Sequence, residues 1–300
     1  MLAAVEMDAA ERKKTFELLL GAMRPKLHRF CARMTGSVID GEDVVQEALA
    51  KAIEAFPEAQ EIANPEGWLF RIAHNTALDF LRRRARLNAA RSPEDPDMTI
   101  DPISATDQRQ AAAASLRTFM RLPVAQRSTV ILMDVLGYSL AEIGAVMAAS
   151  IPSVKAALHR GRERLRALAA EPEDLPVPAL TEPQRTLLAA YVERFNARDF
   201  DGIRDMLADE VRLDLVAKER MTGRREVSTY FGNYSRAEDW HLAPGLVDGR
   251  PALLVSDPRD PVATPKYFIL VQWTDGRIAA IRDFRYARYA AEGAELVVAE

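Results

Sequence analysis

Lys155, His159, Arg162 and Arg166 are spaced four, three and four residues apart, which gathers them on one face of a helix; Arg160 and Arg164 flank that face and Glu163 is its only acid. Such a face can neutralise phosphates and reach base edges in a DNA major groove. A second set, Arg71, Asn75, Asp79, Arg82 and Arg86, repeats at intervals of four, four, three and four, with Trp68 and His74 nearby. Arg82, Arg83, Arg84 and Arg86 put four guanidinium groups in five positions, where they repel one another unless they meet phosphate. Aromatic and amide groups beside them suit stacking on, and hydrogen bonding to, unpaired bases. A third set, Glu42, Asp43, Gln46, Glu47 and Glu54, reads as exposed, and is either a docking face for a basic partner or an ordinary solvated face. Toward the C-terminus, Asp214, Trp240, His241, Arg282 and Asp283 lie in or beside strand-like stretches. An acid and a histidine facing one pocket there could do general acid and base work, with Asp214, Trp240 and His241 as the candidate lining. Alternation along a strand sends about half of such residues to the solvated face, and Arg282 beside Asp283 reads equally well as a surface pair.

The elements that must hold these residues can be read from their end signals. Ser139 and Glu142 form a capping box, and Leu140, Ile143, Gly144 and Met147 give the short helix after them a small apolar face. Ala148 and Ala149 make a turn. Ser150 caps the next helix, Pro152 sits in its first turn, and Val154, Leu158, Gly161, Leu165 and Leu168 form its buried stripe. The whole is a helix-turn-helix ending in a basic helix. Upstream, Asp40 to Phe56 reads as a helix capped by Asp40 with Val45, Leu49, Ala52 and Phe56 buried. The next helix has Asn64 as cap and Pro65 at its first position and runs to Arg86, with Leu69, Ile72, Thr76 and Phe80 facing inward. Beyond Pro183, Leu187, Leu188, Tyr191, Val192 and Phe195 mark a helix, Asp201 to Leu207 a shorter one, and Val211, Leu213 and Leu215 a strand. Asp248-Gly249 and Asp275-Gly276 are hairpin turns between apolar runs.

Totals narrow the choice further. A chain of 300 residues with 48% hydrophobic and 28% charged residues is globular and long enough for more than one domain. A net charge of -4 excludes bulk basicity as the means of holding nucleic acid, so local patches must do it, helped by a larger partner. The single cysteine, Cys31, and four scattered histidines offer no disulfide framework, no metal ligand set and no cofactor site. The first residues lack the apolar stretch of a signal peptide, and no run of about eighteen apolar residues occurs, so a soluble cytoplasmic protein without membrane contact is expected. Leu87 to Asp107 and Glu171 to Pro183, rich in proline and acids, read as linkers.

An acidic helix, the helix WLFRIAHNTALDFLRRRAR, a linker, and Leu122-Pro123 with Arg127 ahead of a helix-turn-helix together resemble the extracytoplasmic-function sigma factors of bacterial RNA polymerase over Lys14 to Ala170. The resemblance implies a multidomain chain with two all-α modules. One is a region 2 helical bundle over 14–86 that binds core RNA polymerase and the minus-ten element; after the linker 87–107 comes a region 4 helix-turn-helix over 108–170 that binds the minus-thirty-five element. By the same resemblance Asp43, Gln46 and Glu47 grip polymerase, and Trp68, Arg71, Asn75, Asp79, Arg82 and Arg83 recognise and melt minus-ten DNA. Ser153, Lys155, Ala156, His159, Arg160 and Arg162 read minus-thirty-five DNA. Relatives often carry Gly where this chain has Ala148 and Thr where it has Ser153. After the linker 171–182, residues 183–290 resemble the SnoaL-like, polyketide-cyclase-like α+β cone, with its curved antiparallel sheet. In such sigma factors the extension regulates, often with a glycine-rich segment after the first strand; here Val211 to Thr222 contain no glycine.

The reading that unites these features is an alternative sigma factor without catalytic activity, whose partners are core polymerase and promoter DNA and whose fused cone contacts the sigma modules. One rival is a one-component helix-turn-helix regulator whose cone senses a small molecule, which leaves the Trp68 to Arg86 helix unexplained. Another is a cyclase-type enzyme, which needs a pocket with paired acid and base.

Overall fold

In the computed structural model, which describes residues 9–56, 62–87, 111–112, 114–171, 179–260, 262 and 264–299, the chain opens with helices α1 (Ala9–Thr35), α2 (Val38–Ala55) and α3 (Pro65–Leu87). Gly36, at φ +79°, turns the chain between the first two. Ser37, with extended backbone, caps α2 by accepting from the amides of Ile39 and Asp40. The expected cap, Asp40, therefore lies inside the helix. It is buried, and its carboxylate takes Arg84 of α3 at 3.1 Å. At Gly41 a β-carbon would come within 2.6 Å of the Ala32 backbone, so α1 and α2 cross where only hydrogen fits. Leu27, Phe30, Val44, Val45, Ala48, Phe70 and Ala73 fill the space among the three helices.

Four further helices follow in the described residues: α4 (Leu116–Met120), α5 (Val124–Val130), which continues as a π turn over Ile131–Val135, α6 (Leu140–Met147) and α7 (Ile151–Ala169). Both halves of the Ser139–Glu142 capping box form, and Ser150 accepts from the Ser153 amide to start α7. Ala148 makes the turn in the left-handed region at φ +52°. Gly161 of α7 packs on α5, where a β-carbon would lie 2.7 Å from Val130 Cγ2. The apolar side chains of α1–α3 and of α4–α7 do not form separate cores. They merge in a single cluster from Phe16 to Leu168, and the chain divides into compact units only after Glu173. From residue 88 onward the first expected linker lies outside the described residues, as do 172–178 of the second.

The second unit contains α8 (Glu182–Asn196), α9 (Phe200–Met206), β1 (Leu207–Leu215), β2 (Glu219–Thr222), α10 (Arg224–Ser235), β3 (His241–Val247), β4 (Arg250–Ser256), β5 (Tyr267–Thr274), β6 (Arg277–Asp283) and β7 (Leu296–Val298). The strands form one sheet in the order β2-β1-β6-β5-β4-β3-β7. The sheet is antiparallel, as expected, at every pairing but one, where β1 runs parallel to β6. Residues 248–249 and 275–276 all have positive φ, joining β3 to β4 and β5 to β6 by tight turns whose twist matches the strands. Register shifts near Leu207/Arg212 and Gln272/Trp273 bend the sheet, and the three helices supply the aromatic side chains that pack into its curve.

Candidate nucleic-acid interface and cone interior

The Asn64 side chain caps α3 through the Gly67 amide at 2.9 Å, fixing where the helix begins and so which residues share its outer face. Asn75, Asp79, Arg82, Arg83, Arg84 and Arg86 are exposed there; Trp68 is half-buried, its ring 6.1 Å from Phe16. Several of the cations already have partners. Arg82 pairs with Asp79 at 3.1 Å, Arg83 with Glu47 at 2.8 Å, and Arg71 Nε donates to the Ala145 carbonyl of α6 at 3.2 Å. The Glu47–Arg83 pair joins the acidic face of α2 to the basic face of α3. Burial raises the Glu47 pKa, but hydrogen bonds from Lys51 and Arg83 outweigh that and hold it below the ordinary carboxylate range. Asp43 is exposed and Gln46 half-buried, whereas Glu42, which reads as exposed, is fully buried and paired with Arg24. Its position faces α1, a neighbour that the spacing within α2 does not reveal.

On α7, Ser153, Arg164 and Arg166 are exposed, and Lys155, Ala156, His159 and Arg160 are half-buried. Arg162 departs from expectation. It is 5% exposed, and its Nε and Nη2 clasp Asp134 of the π turn at 2.9 and 2.5 Å, so it is spent inside the helix-turn-helix. A buried guanidinium needs a paired anion, and Asp134 supplies it from a segment nearly thirty residues upstream. The expected α7 residues that remain open on this face are Ser153, Lys155, Ala156, His159 and Arg160, with Arg164 and Arg166 beyond them.

Aromatic rings occupy much of the cone interior. Phe195 stands at its centre with ring centroids 5.4 Å from Phe200, 5.0 Å from Tyr234 and 4.9 Å from Trp240. Trp240 is therefore a core residue, its Nε1 donating to the Tyr234 carbonyl at 3.1 Å. His241 is exposed at the start of β3, and Asp214 pairs with Arg282 at 3.3 Å and Arg220 at 3.4 Å. None of these three is among the residues that line the cavity described next. A cavity of about 280 Å³ including its open mouth is lined by Tyr230, Tyr234, Asp283, Arg285 and Tyr286 among others. At its floor Asp283, fully buried, accepts from the Tyr230 and Tyr234 hydroxyls and from the Arg285 amide, each at 2.8 Å. Burial pushes its carboxyl pKa up against those hydrogen bonds. The sequence pattern placed Asp283 beside a strand but not this tyrosine collar, which comes from α10. Among the described residues no group of His, Cys, Asp and Glu could hold a metal, and no single helix is long and apolar enough to cross a membrane.

The Sigma-70 region 2 family matches residues 19–87 and the Sigma-70 region 4 family residues 116–165. The ECF RNA polymerase sigma factor SigM of Mycobacterium tuberculosis is 32% identical over 154 residues, covering 51% of this chain and 76% of SigM. The chain belongs to the extracytoplasmic-function sigma factor family. Another family member, the ECF RNA polymerase sigma factor SigG of the same organism, is 30% identical over 228 residues, 67% of this chain. The chain spans 61% of the length of SigG. Among solved structures, the extracytoplasmic function sigma factor SigJ of M. tuberculosis matches with 21% identity and a TM-score of 0.33, over 88% of this chain and 94% of that one. In family terms α1–α3 are region 2 and α4–α7 region 4, so the helix with the arginine cluster and the capped helix-turn-helix fall one in each.

Proposed function

We propose that this chain is an alternative sigma factor that binds core RNA polymerase, reads a two-part promoter and helps to open it, without catalytic activity of its own. The observation that carries the reading is the pairing, in one chain and in family order, of α3, with its exposed arginines and half-buried Trp68, and α7, a capped recognition helix whose open face is basic. In this reading Asp43, Gln46 and Glu47 meet polymerase, Trp68, Arg71, Asn75, Asp79, Arg82 and Arg83 meet minus-ten DNA, and Ser153, Lys155, Ala156, His159 and Arg160 meet minus-thirty-five DNA. The functional modules span residues 14–86, 108–170 and 183–290, and the protein works in the cytoplasm, with the polymerase.

The cone regulates rather than catalyses. Its interior is packed with aromatic rings, and among the described residues the cavity lined by Asp283 holds no histidine. Tethered by residues 171–182, it stays at high effective concentration near the promoter-reading helices, so even a weak contact with them would be populated. Transcription in vitro with core polymerase, comparing the full chain with a truncation after Ala170, tests both statements. The full chain should co-elute with core enzyme and give transcripts from a subset of promoters, and the truncation should change that output, with release from inhibition as the expected direction. Absence of co-elution at micromolar concentration would return the chain to the class of one-component DNA-binding regulators.

A further inference from the structure

Hydrogen-bond donors and acceptors do not balance at the floor of the cone cavity. The Tyr230 and Tyr234 hydroxyls each spend their one proton on Asp283. The Tyr267 hydroxyl, 3.1 Å from that of Tyr234, is left to donate to it. Arg285 gives Nη1 to the Tyr267 hydroxyl at 2.8 Å, Nη2 to both carboxylate oxygens of Asp239 at 2.7 and 3.0 Å, and its amide to Asp283. The hydroxyl protons are thus committed, and acceptors are left over. A carboxylate offers about four lone-pair positions. Among the described residues Asp283 takes three hydrogen bonds, and the Tyr230 oxygen takes none. Both residues line the cavity, so a guest that donates hydrogen bonds suits it and one that only accepts them does not.

Rings and charges favour the same kind of guest. The Tyr230 and Tyr234 rings meet at 68° with centroids 5.2 Å apart, forming a corner, and the exposed Tyr286 ring lines the same cavity. The faces of such rings attract a cation. Lys218, in the turn after β1, already holds its Nζ 4.3 Å from the Tyr286 ring centre, an ammonium of the chain itself on this aromatic wall. Lys218 is exposed, so solvent screens its charge from a guest at the floor. Among the lining residues Asp283 is the one acid and Arg285 the one cation, and the fork of Asp239 neutralises Arg285.

We propose that the cone cavity is a binding site for a small organic cation, a primary ammonium whose N–H groups meet Asp283 and Tyr230 and whose carbon skeleton lies against Tyr234 and Tyr286. Liquid water takes about 30 Å³ per molecule, so a space of about 280 Å³ including the mouth admits at most about nine non-hydrogen atoms, a single ring with a short arm. The site belongs to the cone alone and stands or falls apart from the sigma-factor reading.

Binding of a cation requires Asp283 to be ionised, which makes it depend on pH. The titratable groups around Asp283 are Tyr191 of α8, Tyr230 and Tyr234 of α10 and Tyr267 of β5, and burial holds each of these hydroxyls above the ordinary phenol range. Arg285 is always charged, and its hydrogen bonds hold Asp239 below the carboxylate range. Across mildly acidic pH only Asp283, raised by burial, therefore changes charge. Amine affinity falls as pH drops through that raised value.

Calorimetric titration of the full chain with benzylamine, benzyl alcohol and benzoate tests the site. At neutral pH benzylamine should bind at least about tenfold more tightly than the uncharged alcohol, and benzoate should not bind. Lowering the pH should weaken benzylamine and leave the alcohol level. Asp283→Asn keeps the shape without the charge and should bring amine and alcohol to within about twofold of each other. Tyr286→Ala, at an exposed position, should weaken benzylamine about two- to fivefold. Asp214→Asn, outside the cavity, should change nothing. Circular dichroism confirms folding, and if Asp283→Asn does not fold, Tyr286→Ala and the pH profile decide. Alcohol bound as tightly as amine, preference for benzoate, no binding of benzylamine at millimolar concentration, or an amine affinity indifferent to pH and to the folded variants would each overturn the proposal.

Discussion

Asp134 in the helical unit and Asp283 in the cone are both carboxylates cut off from water, yet they are held differently. Asp134 takes the fork of Arg162 and so ties the π turn after α5 to the middle of the reading helix α7. Asp283 takes two tyrosine hydroxyls and a backbone amide, and forms no ion pair among the described residues. A two-point ion pair between separate helices fixes their mutual angle. A collar of neutral hydroxyls instead stands in the wall of a cavity and joins α10 to β6. The contrast teaches that the helix-turn-helix uses buried charge to set the pose of a surface proposed to meet DNA, whereas the cone uses buried polarity to hold α10 against its sheet.

The sharpest way to break this comparison is to remove the cation. Arg162→Ala leaves Asp134 buried without compensation and should cost about 3–5 kcal/mol in chemical denaturation of the helical unit. Arg162→Met combined with Asp134→Leu should recover most of that loss, and an equal loss in the double variant would show that charge is not the point.

Changes on the open face of α7 should act on DNA and spare the fold. Lys155→Ala and Arg160→Ala are expected to weaken binding to minus-thirty-five duplex by about 1–3 kcal/mol where the side chain reaches a base. They should move the denaturation midpoint little. Trp68→Ala and Asn75→Ala on α3 should instead leave duplex binding intact and reduce permanganate reactivity of unpaired thymines in the polymerase complex.

In the cone, Tyr230→Phe removes one donor from Asp283 and should destabilise that unit by about 1–3 kcal/mol. The pH dependence gives a second reading of the same group. Burial holds the Asp283 carboxyl above the value it has in the unfolded chain, so the unfolded chain releases that proton first as pH rises. The stability contributed by the neutral form is full below the ordinary carboxylate range and is lost as pH climbs through the raised value. Asp283→Asn should flatten that decline, and Tyr230→Phe should carry it to higher pH; a profile unchanged by either would mean Asp283 ionises as it does in water.

The smallest effect is expected at the turn. Ala148 sits at φ +52°, a region costly for any side chain, so Ala148→Gly should stabilise the helix-turn-helix by up to about 1 kcal/mol without changing sequence preference.

Local chemistry was legible in the sequence wherever its partners lie within a few residues. The Ser139–Glu142 box, the Ser150 and Asn64 caps, the turn at Ala148 and Ala149 and both Asp-Gly hairpins depend on contacts five residues away or fewer, and each formed as the spacing required. The apolar stripes of α2, α3 and α7 followed from helical periodicity alone. Tertiary structure decided what each polar residue of those helices is for. Glu42 and Arg162 fall on faces that read as exposed, and both are buried because Arg24 and Asp134 arrive from other helices. The merging of regions 2 and 4 into one core, and the filling of the cone by Phe195 and Trp240, likewise depend on which elements meet. Backbone caps and turns are short-range and fixed by residue type; burial and pairing are long-range, and a periodic pattern gives only the direction a side chain points, not the partner that waits there.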